Sequence, residues 1–175
     1  LAGYLCFGLG YIGYMTFVVA LLRQQGRSET ELAGFYALLG LATLASAWLW
    51  APLLARFRDG RPMALLNSLL ALATLLPVLG TDAALLLASG LLFGAVFLAV
   101  VASTTALVRH NLQADAWPAG IAAFTSVFAA GQIAGPLLVG WVADGSGGLL
   151  RGFALSAALL LAGGLLALGQ RHLRP

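Results

Sequence analysis

The residues of this chain that could do chemistry are hydrogen-bonding side chains set within long apolar stretches. Tyr11, Tyr14 and Gln132 lie near the middle of such stretches. Burying a phenol or an amide without a hydrogen-bond partner costs free energy, so each must be paired or face water. We therefore expect these side chains either to join helices or to face a water-filled space.

The same stretches lack the residues that acid–base, nucleophilic or metal chemistry would need. A nucleophile needs a base, and a zinc site needs several ligands, so we expect neither an enzyme nor a metal or cofactor. We expect His110 and His172, which stand beside arginines, to lie in loops. Asp, Glu, Lys, Arg and His are all absent from residues 1–22, 32–55, 62–81, 83–108, 116–143 and 152–170.

Composition identifies the environment of these stretches. Of the 175 residues, 61% are hydrophobic and 9% are charged, and the mean hydropathy is +0.97. Soluble domains are about 45–50% apolar and about 25% charged, so a soluble protein is excluded. The six stretches are 19 to 28 residues long, and a helix needs roughly 20 apolar residues to cross a bilayer. We predict an all-α membrane protein with six transmembrane helices.

The arginines indicate the orientation of these helices. All nine basic residues are Arg, and six of them lie on the side that holds both termini. Cytoplasmic loops carry an excess of Lys and Arg, so both termini are predicted to be cytoplasmic. Because these arginines lie in short loops rather than on one face, we do not expect nucleic-acid binding. Residues expected in the interfacial aromatic belt are Tyr4, Trp48, Trp50, Trp117 and Trp141.

Two segments half a chain apart resemble each other. Residues 51–54 read Ala-Pro-Leu-Leu and residues 135–138 read Gly-Pro-Leu-Leu, and an Asp-Gly pair follows each of them. The offset of 84 to 85 residues indicates two units of three helices. Because three spans reverse the direction of the next unit, we predict a 3+3 inverted-repeat bundle, as in secondary transporters.

Small residues recur at helical spacing. Gly90 and Gly94 form one GxxxG motif, and Gly131 and Gly135 form another. Small residues let helices approach closely in lipid, and a proline inside a helix favours bending. We expect these positions to form close contacts, either fixed or able to slide and bend; the second motif continues with Pro136 and Gly140.

The pattern resembles the C-terminal half of a major facilitator superfamily transporter, helices seven to twelve of twelve. The stretch Arg56, Arg58, Asp59, Gly60 and Arg61 is similar to the family's inside-loop signature, with Ala51 and Ala55 in place of its Gly and Asp. Residues 131–144 resemble its glycine-proline motif. More narrowly, residues 8–11, Trp117-Pro118 and Gly120 look like the YbfB/YjiJ-type branch.

This resemblance implies half of a secondary transporter, which moves a small solute by alternating access in a bacterial plasma membrane. The chain would be a fragment whose cavity lies against an N-terminal six-helix half. Helices one, two, four and five would line that cavity, and the spans would supply no proton carrier. The alternatives are a self-contained six-helix channel, a homodimeric carrier subunit or a structural membrane module. The expected pathway residues are Tyr11, Tyr14, Thr43, Thr125 and Gln132.

Overall fold

The computed structural model describes residues 1–145 and 147–172, and that part of the chain is all-helical. All six helices are long and apolar enough to cross a membrane, which confirms the predicted fold class. A short 3-10 helix, Ala114–Ala116, precedes the fifth. The helices are α1 (Ala2–Gln24), α2 (Glu29–Arg56), α3 (Arg61–Leu79), α4 (Ala83–Asn111), α5 (Trp117–Ala143) and α6 (Gly148–Leu168).

Several helices extend beyond the charge-free stretches. Helix α4 continues to Asn111, so His110 lies on its last turn and the expected loop position is wrong. Helix α6 begins at Gly148 and includes Arg151 in its first turn. Long charged side chains can reach the polar interface from a helix end, so a helix need not stop where its apolar stretch stops.

The helix starts follow from local sequence signals. The Ser28 hydroxyl accepts a hydrogen bond from the Glu31 backbone N–H, and the Glu31 carboxylate accepts one from the Ser28 backbone N–H at 2.8 Å. This capping box satisfies two N–H groups that a helix leaves unpaired. Pro62 and Pro118 occupy the first turns of α3 and α5, where a missing N–H costs nothing.

Helix pairing follows the two-unit arrangement. Helix α1 packs against α5 and α6, α4 packs against α2 and α3, and α3 packs against α6. Exchanging the first three helices with the last three reproduces these pairs, but α5 also packs against α6 and no comparable contact joins α2 to α3. Helices α2 and α5 have only 17% and 11% of their most apolar segments buried, against 56% for α3. These two helices therefore present a large uncovered surface.

Helices α1 and α5 meet through glycines. A Cβ atom on Gly131 would lie 3.0 Å from the Gly8 Cα, and one on Gly135 would lie 2.7 Å from the Leu9 carbonyl oxygen. Gly140 has more room, because a Cβ there would meet only the Phe17 ring, at 3.5 Å. Gly131 and Gly135 thus leave no room for a side chain.

Helices α2 and α4 meet in the same way. A Cβ on Gly90 would collide with the Phe35 ring, and one on Gly94 would collide with the Leu39 carbonyl. Both GxxxG motifs thus lie in the second unit, and each contacts a helix of the first. Helix α5 continues through Pro136 without an interruption.

Candidate substrate pathway

One polar pair joins α1 and α5 at their glycine contact. The Gln132 Nε2 donates a hydrogen bond of 2.5 Å to the Tyr11 hydroxyl. Gln132 follows Gly131, where the two backbones approach closely, and this approach brings the two side chains within reach. The bond uses one amide proton. The phenol proton, the amide oxygen and the second amide proton are further groups that a solute could engage.

Aromatic rings surround this pair. The Tyr11 ring stacks on Phe7, Phe128 and Phe97, with centroids 4.8, 5.4 and 6.3 Å apart. Tyr4 and Phe124 extend the cluster. Phe128 was expected to share a face of α5 with Thr125 and Gln132, whereas Phe7, Phe97 and Phe124 were not predicted from the sequence. Their signal was the four-residue spacing of Phe7 and Tyr11 and of Phe124 and Phe128, which places each pair on one helix face.

Tyr14 lies in a different place, inside the bundle. It is fully buried, its ring stacks on Phe93 at 4.0 Å and its hydroxyl bonds the Ser89 Oγ at 2.6 Å. Ser89 in turn donates to the Ala73 carbonyl at 2.7 Å. This chain links α1, α4 and α3, and it satisfies a phenol that burial would otherwise leave unpaired. Ser89 was not predicted from the sequence.

The two candidate threonines bond to their own helices. The Thr43 hydroxyl donates to the Leu39 carbonyl at 2.8 Å, and the Thr125 hydroxyl donates to the Ile121 carbonyl at 2.9 Å. These are the local bonds typical of Ser and Thr in helices. Thr125 is exposed on α5, while Thr43 is half-buried on α2. Both hydroxyl oxygens still have acceptor capacity for a solute.

Two residues expected in the interfacial aromatic belt make contacts within the helix bundle. Tyr4 is 2% exposed, because it packs within the aromatic cluster around Tyr11. The Trp50 indole N–H donates to the Ala95 carbonyl at 2.6 Å and so joins α2 to α4. Both side chains are therefore engaged in contacts within the bundle, whereas Trp48 and Trp141 are well exposed.

The inside-loop motif is ordered by short-range charge contacts. The Asp59 carboxylate pairs with the Arg61 guanidinium at 3.2 Å and accepts the Arg61 backbone N–H at 3.0 Å. The Arg56 and Arg61 guanidinium groups lie 5.7 and 5.9 Å from the centre of the Phe57 ring. Cations at such distances from a ring are attracted to it, so the loop forms its own cluster.

Two hydrogen bonds to the backbone of this loop attach it to two helix ends. The Asn111 side chain donates to the Arg58 carbonyl at 2.9 Å, and the Gly60 N–H donates to the Gln170 carbonyl at 3.1 Å. The loop between α2 and α3 thus contacts the end of α4 and the residues after α6. A displacement of either helix would be transmitted to it.

Comparison with known proteins identifies the family. The model of a family described as "Uncharacterised MFS-type transporter YbfB" matches residues 1–168. No curated protein and no solved structure matches the chain. Within residues 1–145 and 147–172, no group of three His, Cys, Asp or Glu side chains could hold a metal ion. The family match covers nearly the whole chain and agrees with six apolar helices, so the chain belongs to the YbfB-type family of major facilitator superfamily transporters.

Proposed function

We propose that this chain is one six-helix half of a carrier that moves a small solute across the membrane by alternating access. The observation that carries the proposal is the polar pair Tyr11–Gln132, set between helices that glycines hold in close contact. The mutual bond leaves the phenol proton, the amide oxygen and one amide proton of the pair for other partners, and such groups are costly to bury without them. In this proposal the pair binds neutral parts of the solute.

The uncovered helices support a partner half. Helices α2 and α5 leave most of their surface open, and the half-buried Gln132 lies on one of them. In the proposed arrangement an N-terminal six-helix half covers these helices and encloses a cavity between the halves. Tyr11 is 7% exposed, whereas its partner Gln132 is half-buried, so Gln132 is the more accessible member of the pair. Tyr14 supports the wall from behind, and Thr43 and Thr125 extend it.

Energy coupling is assigned to the other half. The charge-free stretches hold no carboxylate, His or Lys, and a proton-driven carrier needs a group that gains and loses a proton during transport. Intramembrane ionisable residues are the usual carriers. This half then contributes solute contacts and moving surfaces, while any proton carrier lies in its partner.

Gln132→Ala is expected to raise the KM for the transported solute about tenfold, and Tyr11→Phe to raise it about threefold. A neutral hydrogen bond contributes about 0.5–1.5 kcal/mol. Gln132→Ala removes an entire amide group, whereas Tyr11→Phe removes only a hydroxyl. Uptake by the full-length protein in proteoliposomes, first screened with a panel of labelled small solutes, measures both values. The pH profile of uptake should stay unchanged.

The control is Ser68→Ala on α3, whose hydroxyl bonds its own helix at the Ala64 carbonyl. It removes a polar group from a span without touching the pair, so KM should not change. A shift of the pH profile in Gln132→Ala would contradict the assignment of coupling to the other half. Uptake that never saturates with solute concentration would indicate a channel instead of a carrier.

Both termini are proposed to be cytoplasmic. In a Cys6→Ser background, Gln24→Cys should react with an impermeant thiol reagent added outside intact cells. Gln113→Cys, in the loop between α4 and α5, should react only after permeabilisation. Both positions are exposed and uncharged, so neither substitution alters the arginine distribution that sets the orientation. The opposite labelling pattern would refute this orientation.

A further inference from the structure

A groove runs between α2 and α4 at the end of the bundle that carries the α2–α3 and α4–α5 loops. Its volume is about 430 Å³. Leu54 and Ala55 of α2 form one wall, and Ala102 and Ala106 of α4 form the other. Thr105 also lines it, but the remaining side chains away from the loop end are apolar and small, so the groove has room for a hydrocarbon chain.

Two basic side chains stand at the loop end of this groove. Arg109 is exposed, and its guanidinium lies 5.4 Å from the centre of the Trp117 ring. None of the ion pairs among the described residues includes Arg109. Beside it, the His110 Nδ1 is buried and has no hydrogen-bond partner within the described residues. No acidic residue lines the groove.

A second crevice, at the other end of the bundle, provides a contrast. It has a volume of about 180 Å³ and is also lined mainly by apolar side chains, with Arg27 at its edge. There the Arg27 guanidinium pairs with the Glu31 carboxylate at 3.1 Å and also donates to the Thr81 carbonyl. Its charge is already balanced by the protein, whereas the charge of Arg109 is not.

We propose that the groove between α2 and α4 binds an anionic phospholipid of the surrounding membrane. Its phosphate contacts the exposed Arg109 guanidinium, and one acyl chain lies along Ala102 and Ala106. The apolar walls suit the chain, and the positive charge at the loop end complements the headgroup. Residues near a membrane surface gain about 1 kcal/mol per Lys or Arg from anionic lipid. The site is independent of the transported solute.

Native mass spectrometry of the full-length protein, titrated with phosphatidylglycerol or phosphatidylcholine, tests this site. We expect tighter binding of phosphatidylglycerol. Arg109→Gln should weaken that binding about fivefold, which corresponds to about 1 kcal/mol. Arg171→Gln is the matched control, because it removes the same charge from the same end of the bundle outside the groove. It should leave the affinity unchanged.

A separate variant tests the proposed contact with the acyl chain of the lipid. Ala106→Phe should fill the groove and weaken phosphatidylglycerol binding with Arg109 intact, while Ala158→Phe at an exposed position of α6 should not. Thermal unfolding in detergent checks that each variant folds. If Ala106→Phe does not fold, a spin label on Ala106→Cys in the Cys6→Ser background replaces it, and a lipid-borne relaxation agent should reach that label.

Three results would overturn the proposal. Equal affinity for the two lipids would show that charge plays no part. An equal loss in Arg171→Gln would show that only the total charge matters. A label at position 106 that the lipid-borne agent cannot reach in vesicles would show that protein covers the groove. The third result would agree with a partner half that covers α2, and the first two leave solute transport untouched. The lipid site can therefore fail while the proposed function stands.

Discussion

Gly135→Ala is expected to impair uptake by the full-length protein, and Gly135→Leu to prevent its normal folding. A Cβ at this position would lie 2.7 Å from the Leu9 carbonyl oxygen and would collide with the Ile12 side chain. The Leu9 oxygen belongs to the backbone of α1, so it cannot move aside without moving the helix. Overpacking of a well-filled contact costs about 1–3 kcal/mol for small additions, and leucine adds much more.

The consequence extends to the proposed solute site. Gln132 lies one turn before Gly135, and its hydrogen bond to Tyr11 needs α1 and α5 to stay close. Widening the contact at Gly135 separates this pair as well. We therefore expect Gly135→Ala to raise KM and lower the maximal uptake rate together, and to lower the thermal unfolding temperature in detergent.

Gly140→Ala on the same helix is the matched control. Its Cβ would meet only the Phe17 ring at an ordinary distance of 3.5 Å. It also removes a glycine from a helix interior, which favours the helix by about 1 kcal/mol. We expect wild-type uptake and equal or higher stability. Full activity of Gly135→Ala at a normal expression level would refute the close contact.

Features that depend only on residues close together in the sequence could be predicted from it. The capping box at Ser28 and the prolines at positions 62 and 118 mark helix starts because a helix N-terminus needs local partners for its N–H groups. The six spans could be counted because charged residues are costly inside a bilayer. These features need no knowledge of which helices are neighbours.

The faces of the helices could not be assigned in that way. A helix in lipid is apolar all round, so it lacks the polar stripe that reveals the exposed side of a soluble helix. The GxxxG motifs were visible, but the partner of Gly131 could only be identified as Gly8 once the helices were placed. The contacts of Tyr4 and Trp50 were missed for the same reason, because they are made with residues distant in sequence.

In the candidate site, too, single residues could be predicted from the sequence but their contacts could not. Tyr11 and Gln132 could be chosen singly, since a polar group in an apolar span must have a partner. Their mutual bond spans 121 residues, and no spacing rule predicts it. Tyr14 was chosen on the same grounds, yet its partner Ser89 lies 75 residues away. Sequence thus identified groups that need partners, and the fold identified the partners.

Gly60→Ala is expected to destabilise the protein by about 2–3 kcal/mol, by overpacking and by loss of a hydrogen bond. The backbone of Gly60 has φ −78° and ψ −2°, which any residue can adopt, so conformational freedom does not explain this glycine. Space does, because a Cβ would overlap the Ala167 carbonyl oxygen and lie 2.8 Å from its carbon. The end of α6 would have to move away and break the bond from the Gly60 N–H to Gln170.

Gly169→Ala tests the same end of the bundle without that collision. Gly169 also has an ordinary backbone conformation, with φ −71° and ψ −13°, and its Cβ would lie 3.4 Å from the Leu166 carbonyl oxygen. Thermal unfolding in detergent should therefore rank Gly60→Ala well below both Gly169→Ala and the wild type. If the two variants unfold together, backbone contact with α6 does not explain the glycine of the loop motif. Its role would then lie in the charge cluster of Asp59 and Arg61.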